Sequence, residues 1–178
     1  MSSTPAKKKA KGQSEDAILP MTDGYMQQIV RREKNYEFRR YRISSSVKRI
    51  WFYLNAPHSA VVYICDIDPA RARNPGDDPL PEDGLGNRKF NTRHPDWDRY
   101  DFAYKVRSVR KLTAPLHLKE MKERFGMKGA PRSLVYVPSE VLEKVKPEEQ
   151  ELLWTDDEES TLDREAHEQK APCTDRGE

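Results

Sequence analysis

Tyr25-Met26-Gln27-Gln28-Ile29-Val30-Arg31-Arg32-Glu33-Lys34-Asn35-Tyr36-Glu37-Phe38-Arg39-Arg40 is a helix-like segment handing directly into a charged strand. Tyr25, Met26, Ile29 and Val30 recur at helical spacing, and Thr22 or Asp23 stands where a helix is capped, so a helix ending near Arg32 is expected. Asn35 to Tyr41 then reads as a strand, broken by Ser44-Ser45-Ser46. Side chains alternate along a strand, which puts Glu37 and Arg39 on one face and Tyr36, Phe38 and Arg40 on the other. Lys34, at the turn, can reach over the Glu37 face. A carboxylate between two cations suits a planar ligand with mixed donors and acceptors, such as a nucleobase. A self-satisfied ion-pair network is the alternative.

Working outward, order is expected to begin at Ile18-Leu19 with a first strand before the helix. Arg49 to Leu54 and Ala60 to Ile67 are rich in β-branched and aromatic residues and read as strong strands joined through Asn55-Ala56-Pro57-His58. Residues 68–99 hold five prolines, three glycines and many aspartates, the composition of a long loop with little to bury. Tyr100 to Leu112 returns to strand-like alternation. A short helix closing at Gly126, a last strand over Ser133 to Val137 and a brief helix from Ser139 to Val145 complete the pattern. Short strands with few helices favour an α+β fold, a small and mostly antiparallel barrel with covering helices, over a doubly wound sheet.

A chain of 178 residues with 35% charged residues and 13 prolines fits one cored domain, expected over residues 18–146, between a disordered basic arm (1–17) and a disordered acidic tail (147–178). The net charge of +2 conceals an asymmetry. Residues 18–138 carry 23 Lys/Arg against 14 Asp/Glu, whereas residues 139–178 carry 5 against 14. A basic body suits a polyanion, and an acidic tail can compete for the same surface; a merely solvated charged surface is the other reading. Leu152, Leu153 and Trp154 interrupt the tail and could dock on the domain or contact a partner. Cys65 and Cys173 make neither a disulfide framework nor a zinc pattern. With no long apolar run, signal-like leader or glycosylation sequon, the expectation is an intracellular protein, cytoplasmic or nuclear, without membrane contact. The Lys7-Lys8-Lys9-Ala10-Lys11 run would serve as an import signal if the host has a nucleus.

The order of elements, together with Arg32-Glu33-Lys34-Asn35-Tyr36-Glu37-Phe38-Arg39, resembles the ASCH family of the PUA-like fold, whose signature at this helix exit is Gly-x-Lys-x-x-Glu-x-Arg. Lys, Glu and Arg match, and Arg32 stands in place of the glycine. The likeness covers about residues 18–138. It implies a PUA-like barrel with a cleft for RNA or modified nucleobases, lined by Lys34, Glu37 and Arg39, with Glu37 accepting base N–H groups and the cations holding carbonyl or phosphate oxygens. Arg88, His94 and Trp97 join the candidate ligand-binding set from the long loop. Trp51 with Tyr53, and Trp97 with Tyr100, are the aromatic pairs that could stack a base, although strand alternation places Trp51 and Tyr53 in a core.

Some members of the resembled family are amidohydrolases of acetylated cytidine in which the motif lysine is catalytic, and others are proposed ribonucleases. The amidohydrolases carry threonine where this chain has Glu37. If the chain is an enzyme, Lys34 and Glu37 are the candidate acid-base pair, but a carboxylate beside the lysine favours the protonated, inert amine. His58 and His94 have no acid partner at a diagnostic spacing. Asp66-Ile67-Asp68 could ligate a hard cation or be a simple edge-strand charge pair; no metal site and no cofactor is expected. The leading reading is a monomeric binder of RNA or a modified nucleotide, with DNA as the other polyanion. A hydrolase acting on a modified nucleoside or RNA comes next, and a non-catalytic protein-interaction module third.

Overall fold

A computed structural model describes residues 14–156; the basic run at Lys7–Lys11, Cys173 and the chain beyond Asp156 lie outside the described residues. Strand β1 (Asp16–Met21) leads into α1 (Asp23–Val30) and β2 (Tyr36–Arg39). The hairpin of β3 (Arg49–Leu54) and β4 (Ala60–Ile67) follows, then the two-residue β5 (Arg71–Ala72), α2 (Asn87–Asn91) and a 3-10 turn over Pro95–Trp97. The 16-residue β6 (Phe102–His117), α3 (Leu118–Arg124), β7 (Val135–Tyr136), α4 (Ser139–Lys144), a 3-10 turn at Pro147–Glu149 and β8 (Glu151–Thr155) complete the order.

The strands form one mixed sheet in the order β2-β6-β4-β3-β1-β7, with β5 and β8 also pairing β6. It curls into a half-barrel of the α+β class. Among the described residues only β1 and β3 run parallel, because α1 and β2 supply the crossover between them that parallel pairing requires; the other pairings are antiparallel. Alternation along β1 distributes the core. Ala17 and Leu19 face a cluster with Met26 and Ile29 of α1, whereas Ile18 points to the opposite face among Trp51, Tyr53, Leu116, Met121 and Val141 beneath α3 and α4. A third cluster of Tyr36, Phe38, Leu80, Phe90 and Ala103 lies under the 68–99 segment.

Four expectations change. The first strand starts at Asp16 rather than Ile18, because the Asp16 carboxylate is satisfied while buried: Arg49 donates through Nε and Nη2 at 2.7 and 2.8 Å and the Trp51 indole at 2.8 Å. The ordered fold passes residue 146, because Trp154 is buried and donates Nε1–H to the Val30 carbonyl at 3.2 Å, which pins β8 to β6 and α1. The 68–99 segment contains a strand, a helix and a 3-10 turn, since Phe90 and Leu80 give it a core of its own. Finally, Tyr25 leaves the packed face of α1 and is 58% exposed, while Met26 and Ile29 are buried as the helical pattern predicts.

Candidate functional site

Helix α1 ends in a turn where Arg32 adopts φ +62°, with its amide donating to the Ile29 carbonyl at 3.0 Å. A left-handed residue bearing a side chain costs about 1–2 kcal/mol, which explains a glycine at this position in the resembled signature. Arg32 offsets that cost with its side chain: its guanidinium lies 4.7 Å from the centre of the Trp154 ring and 3.4 Å from Asp156. The turn is held from below as well. Glu33 and Lys34 amides donate to Gln28, and Leu85 of the 68–99 segment donates to the Glu33 carbonyl at 2.8 Å.

The turn delivers Lys34 over β2. Its ammonium donates to Glu37 Oε2, and Arg39 Nη2 lies 2.9 Å from Glu37 Oε1, so each carboxylate oxygen holds one cation. Lys34 and Glu37 are 8% and 6% exposed. Arg39 Nη2 also donates to the Pro20 carbonyl at 3.1 Å, while its Nε is buried with no hydrogen-bond partner. Burial pushes the Glu37 carboxyl up, but the Lys34 and Arg39 charges and the hydrogen bonds they donate outweigh it, holding the group below the ordinary glutamate range. Glu37 is therefore ionised at neutral pH, and the cluster carries one negative charge between two cations.

All three residues line a surface cavity of about 420 Å³. Tyr25, Phe38, Trp97 and Tyr100 supply its aromatic wall, and Pro20, Met21, Thr22, Asn55 and Asp96 complete the rim. Phe38 meets Trp97 edge-on at 4.8 Å, and Trp97 meets Tyr100 at 5.9 Å. The Lys34 ammonium lies 5.6 Å from the Phe38 ring centre and 6.0 Å from that of Tyr25. Gly86 sets this wall. At φ +92° it admits no side chain, since a Cβ there would stand 2.5 Å from the Trp97 ring and 3.0 Å from Phe38. A clasp holds the loop to the Lys34 turn: Asn35 donates to Asp83 at 2.9 Å and Asn87 to Asn35 at 3.0 Å.

Solved structures of ASCH proteins from Zymomonas mobilis share the fold of this chain. A serine-to-alanine variant matches at a TM-score of 0.55 and 20% identity, over 74% of this chain and 94% of its own. The protein without a stated substitution matches at 0.51 and 20%, over 73% and 92%, and a tyrosine-to-phenylalanine variant at 0.50 and 21%, over 73% and 95%. The chain has the ASCH fold. No family model matches the sequence, and no curated protein sequence does.

Within this ASCH fold, Lys34, Glu37, Arg39 and Trp97 come together at the cavity, whereas Arg88 and His94 lie outside its lining. Arg88 is exposed on α2, and His94 Nδ1 accepts from the Asp96 amide at 3.2 Å, capping the 3-10 turn. Trp51 and Tyr53 are 0% and 2% exposed in the core, so they cannot stack a ligand. His58 and His94 do acquire acid neighbours, Asp23 at 3.6 Å and Asp96 at 3.4 Å, but neither imidazole lines the cavity. Asp66 accepts from the Ser108 hydroxyl and Asp68 faces Arg107 at 3.7 Å. Among the described residues no metal-ligating cluster forms. Sequence reasoning missed Pro20, Thr22 and Asn55. They reach the rim only because β1 and β3 pair in parallel, with the Asn55 amide donating to Met21 at 3.0 Å, and no local pattern announces that pairing.

Proposed function

We propose that the chain binds a single nucleobase, of RNA or of a modified nucleotide, in the Lys34–Glu37–Arg39 cavity. The observation that carries this reading is the convergence of two cations and their shared carboxylate in one opening walled by four aromatic rings. A volume of about 420 Å³ suits one nucleoside, and aromatic walls suit a planar ring. The spare hydrogen-bonding capacity narrows the ligand. Both Glu37 oxygens already accept from cations, while Arg39 Nε lacks a partner and the Lys34 ammonium has donors beyond the one given to Glu37. The site therefore offers donors, and the favoured base edge presents carbonyl oxygens or ring-nitrogen acceptors. Glu37 acts mainly by neutralising and aiming the two cations, a different role from accepting base N–H groups.

The same features disfavour the hydrolase reading. A carboxylate held ionised by two cations makes a poor general acid, and both its oxygens are engaged. Of the contacts the interaction-module reading relies on, Trp154 and Leu153 pack into the domain and Leu152 is exposed, while the acidic tail beyond Asp156 lies outside the described residues. Calorimetric titration of the chain with nucleosides and single-stranded oligonucleotides tests the proposal. Binding that favours carbonyl-rich bases and falls in Lys34→Met supports it. Release of product from an acetylated cytidine would make the enzyme reading primary, and no heat with any ligand would remove the reader.

A further inference from the structure

Immediately after β8, Asp156 sits among three cations that the fold gathers from separate places. Arg32 at the α1 exit lies 3.4 Å away, and Arg107 and Lys105 of β6 lie 3.3 and 3.8 Å away. Lys105 and Arg107 are two residues apart on one strand and so share a face. Asp68 also lies near, 3.7 Å from Arg107 Nε. The contacts are long, and the side chains of Arg32, Lys105, Arg107 and Asp156 are all partly exposed, between 23% and 41%. Pairs of this kind exchange readily with solution anions. Trp154 fixes the geometry, packed under the Arg32 guanidinium and bonded to Val30. In the sequence Asp156 opens the run Asp156-Asp157-Glu158-Glu159.

We propose that Arg32, Lys105 and Arg107 form a binding site for the phosphates of a single-stranded polynucleotide, and that Asp156 occupies it as a built-in competitor. Three cations from the helix exit and one strand make a row that a phosphodiester chain can follow, and Asp156 meets all three at 3.3–3.8 Å. The row lies outside the lining of the base cavity but is linked to it along the chain. Arg32 is two residues before Lys34, and Lys105 pairs with Tyr36, next to Glu37. The proposal extends the nucleobase reading but does not require it, because phosphate binding needs no base.

Two probes separate the sites in the full chain: a single-stranded oligouridylate and an abasic strand of the same length, each titrated at several salt concentrations. Asp156→Asn should tighten both about three- to tenfold at low ionic strength and steepen the loss of affinity with salt, as one more phosphate contact would. Arg107→Glu should loosen both and, combined with Asp156→Asn, cancel the gain. Thermal melting confirms that each variant is folded. Unchanged abasic-strand affinity in Asp156→Asn, or a gain that survives Arg107→Glu, would overturn the phosphate site. A gain seen with an oligoglutamate peptide but not with the abasic strand would do the same. If Lys34→Met leaves oligouridylate binding intact while Asp156→Asn still tightens the abasic strand, the base-cavity reading fails and the phosphate site stands.

Discussion

Asp16 and Glu37 are both buried carboxylates served by paired donors, and they end in opposite roles. Asp16, at the start of β1, receives a two-pronged Arg49 and the Trp51 indole across the β1–β3 pairing, away from the lining of the Lys34 cavity. Glu37 receives Lys34 and Arg39 at the edge of an open cavity, and those cations keep donors in reserve. The first arrangement is closed and fastens two strands. The second opens onto a cavity, and beside it the Arg39 Nε is buried without a partner at a cost the fold carries. A carboxylate with two partners thus says little until its place relative to an opening is known.

The largest effect expected from this contrast is at the closed site. Asp16→Ala leaves Arg49 and a buried indole N–H unpaired, so denaturant unfolding should show a loss of about 4 kcal/mol, with ligand affinity unaltered while the chain remains folded. Glu37→Gln should cost about 3 kcal/mol of stability by leaving the buried Lys34 and the half-buried Arg39 without their counter-charge, and should also abolish base binding. Its pH dependence follows from the depressed carboxyl. The folded value lies below the unfolded one, so the stabilisation is fully present above the ordinary glutamate range and lost as pH falls through the lower folded value. Acid unfolding curves should therefore be steeper for the wild type than for Glu37→Gln. Lys34→Met should reduce nucleoside affinity by about 2 kcal/mol, some thirtyfold, by calorimetry. Gly86→Ala should destabilise by roughly 1.5 kcal/mol and weaken binding together, because strain at φ +92° and a clash with the Trp97 ring displace the cavity wall. Arg32→Gly should change stability by less than about 1 kcal/mol, since relief of the left-handed backbone offsets the lost contacts to Trp154 and Asp156.

Local pattern made much of this legible. The β3 and β4 spans follow directly from their β-branched and aromatic runs, and the two-residue period placed Glu37 and Arg39 together with Lys34 in reach. What stayed hidden depends on contacts distant in sequence. The parallel pairing of β1 with β3 brings Pro20, Thr22 and Asn55 to the rim, and the 68–99 segment gains order only because Phe90 and Leu80 meet Phe38 and Tyr36. Strand β8 was obscured for a different reason. Its Leu152-Leu153-Trp154 lies in acidic surroundings that read as a tail, and a single buried indole decides otherwise. Tyr25 shows the limit of helical periodicity, which groups residues on a face without saying where the packed face ends.

The most direct test of the open site is a nuclear magnetic resonance titration of the isotopically labelled chain with a panel of nucleosides, following the Arg39 Nε–H and the Trp97 indole N–H. The account predicts that a carbonyl-rich base moves both signals together, because Arg39 and Trp97 line the same cavity, while the Trp51 indole bound to Asp16 stays in place. Saturable binding that leaves the Arg39 and Trp97 signals unmoved would contradict it.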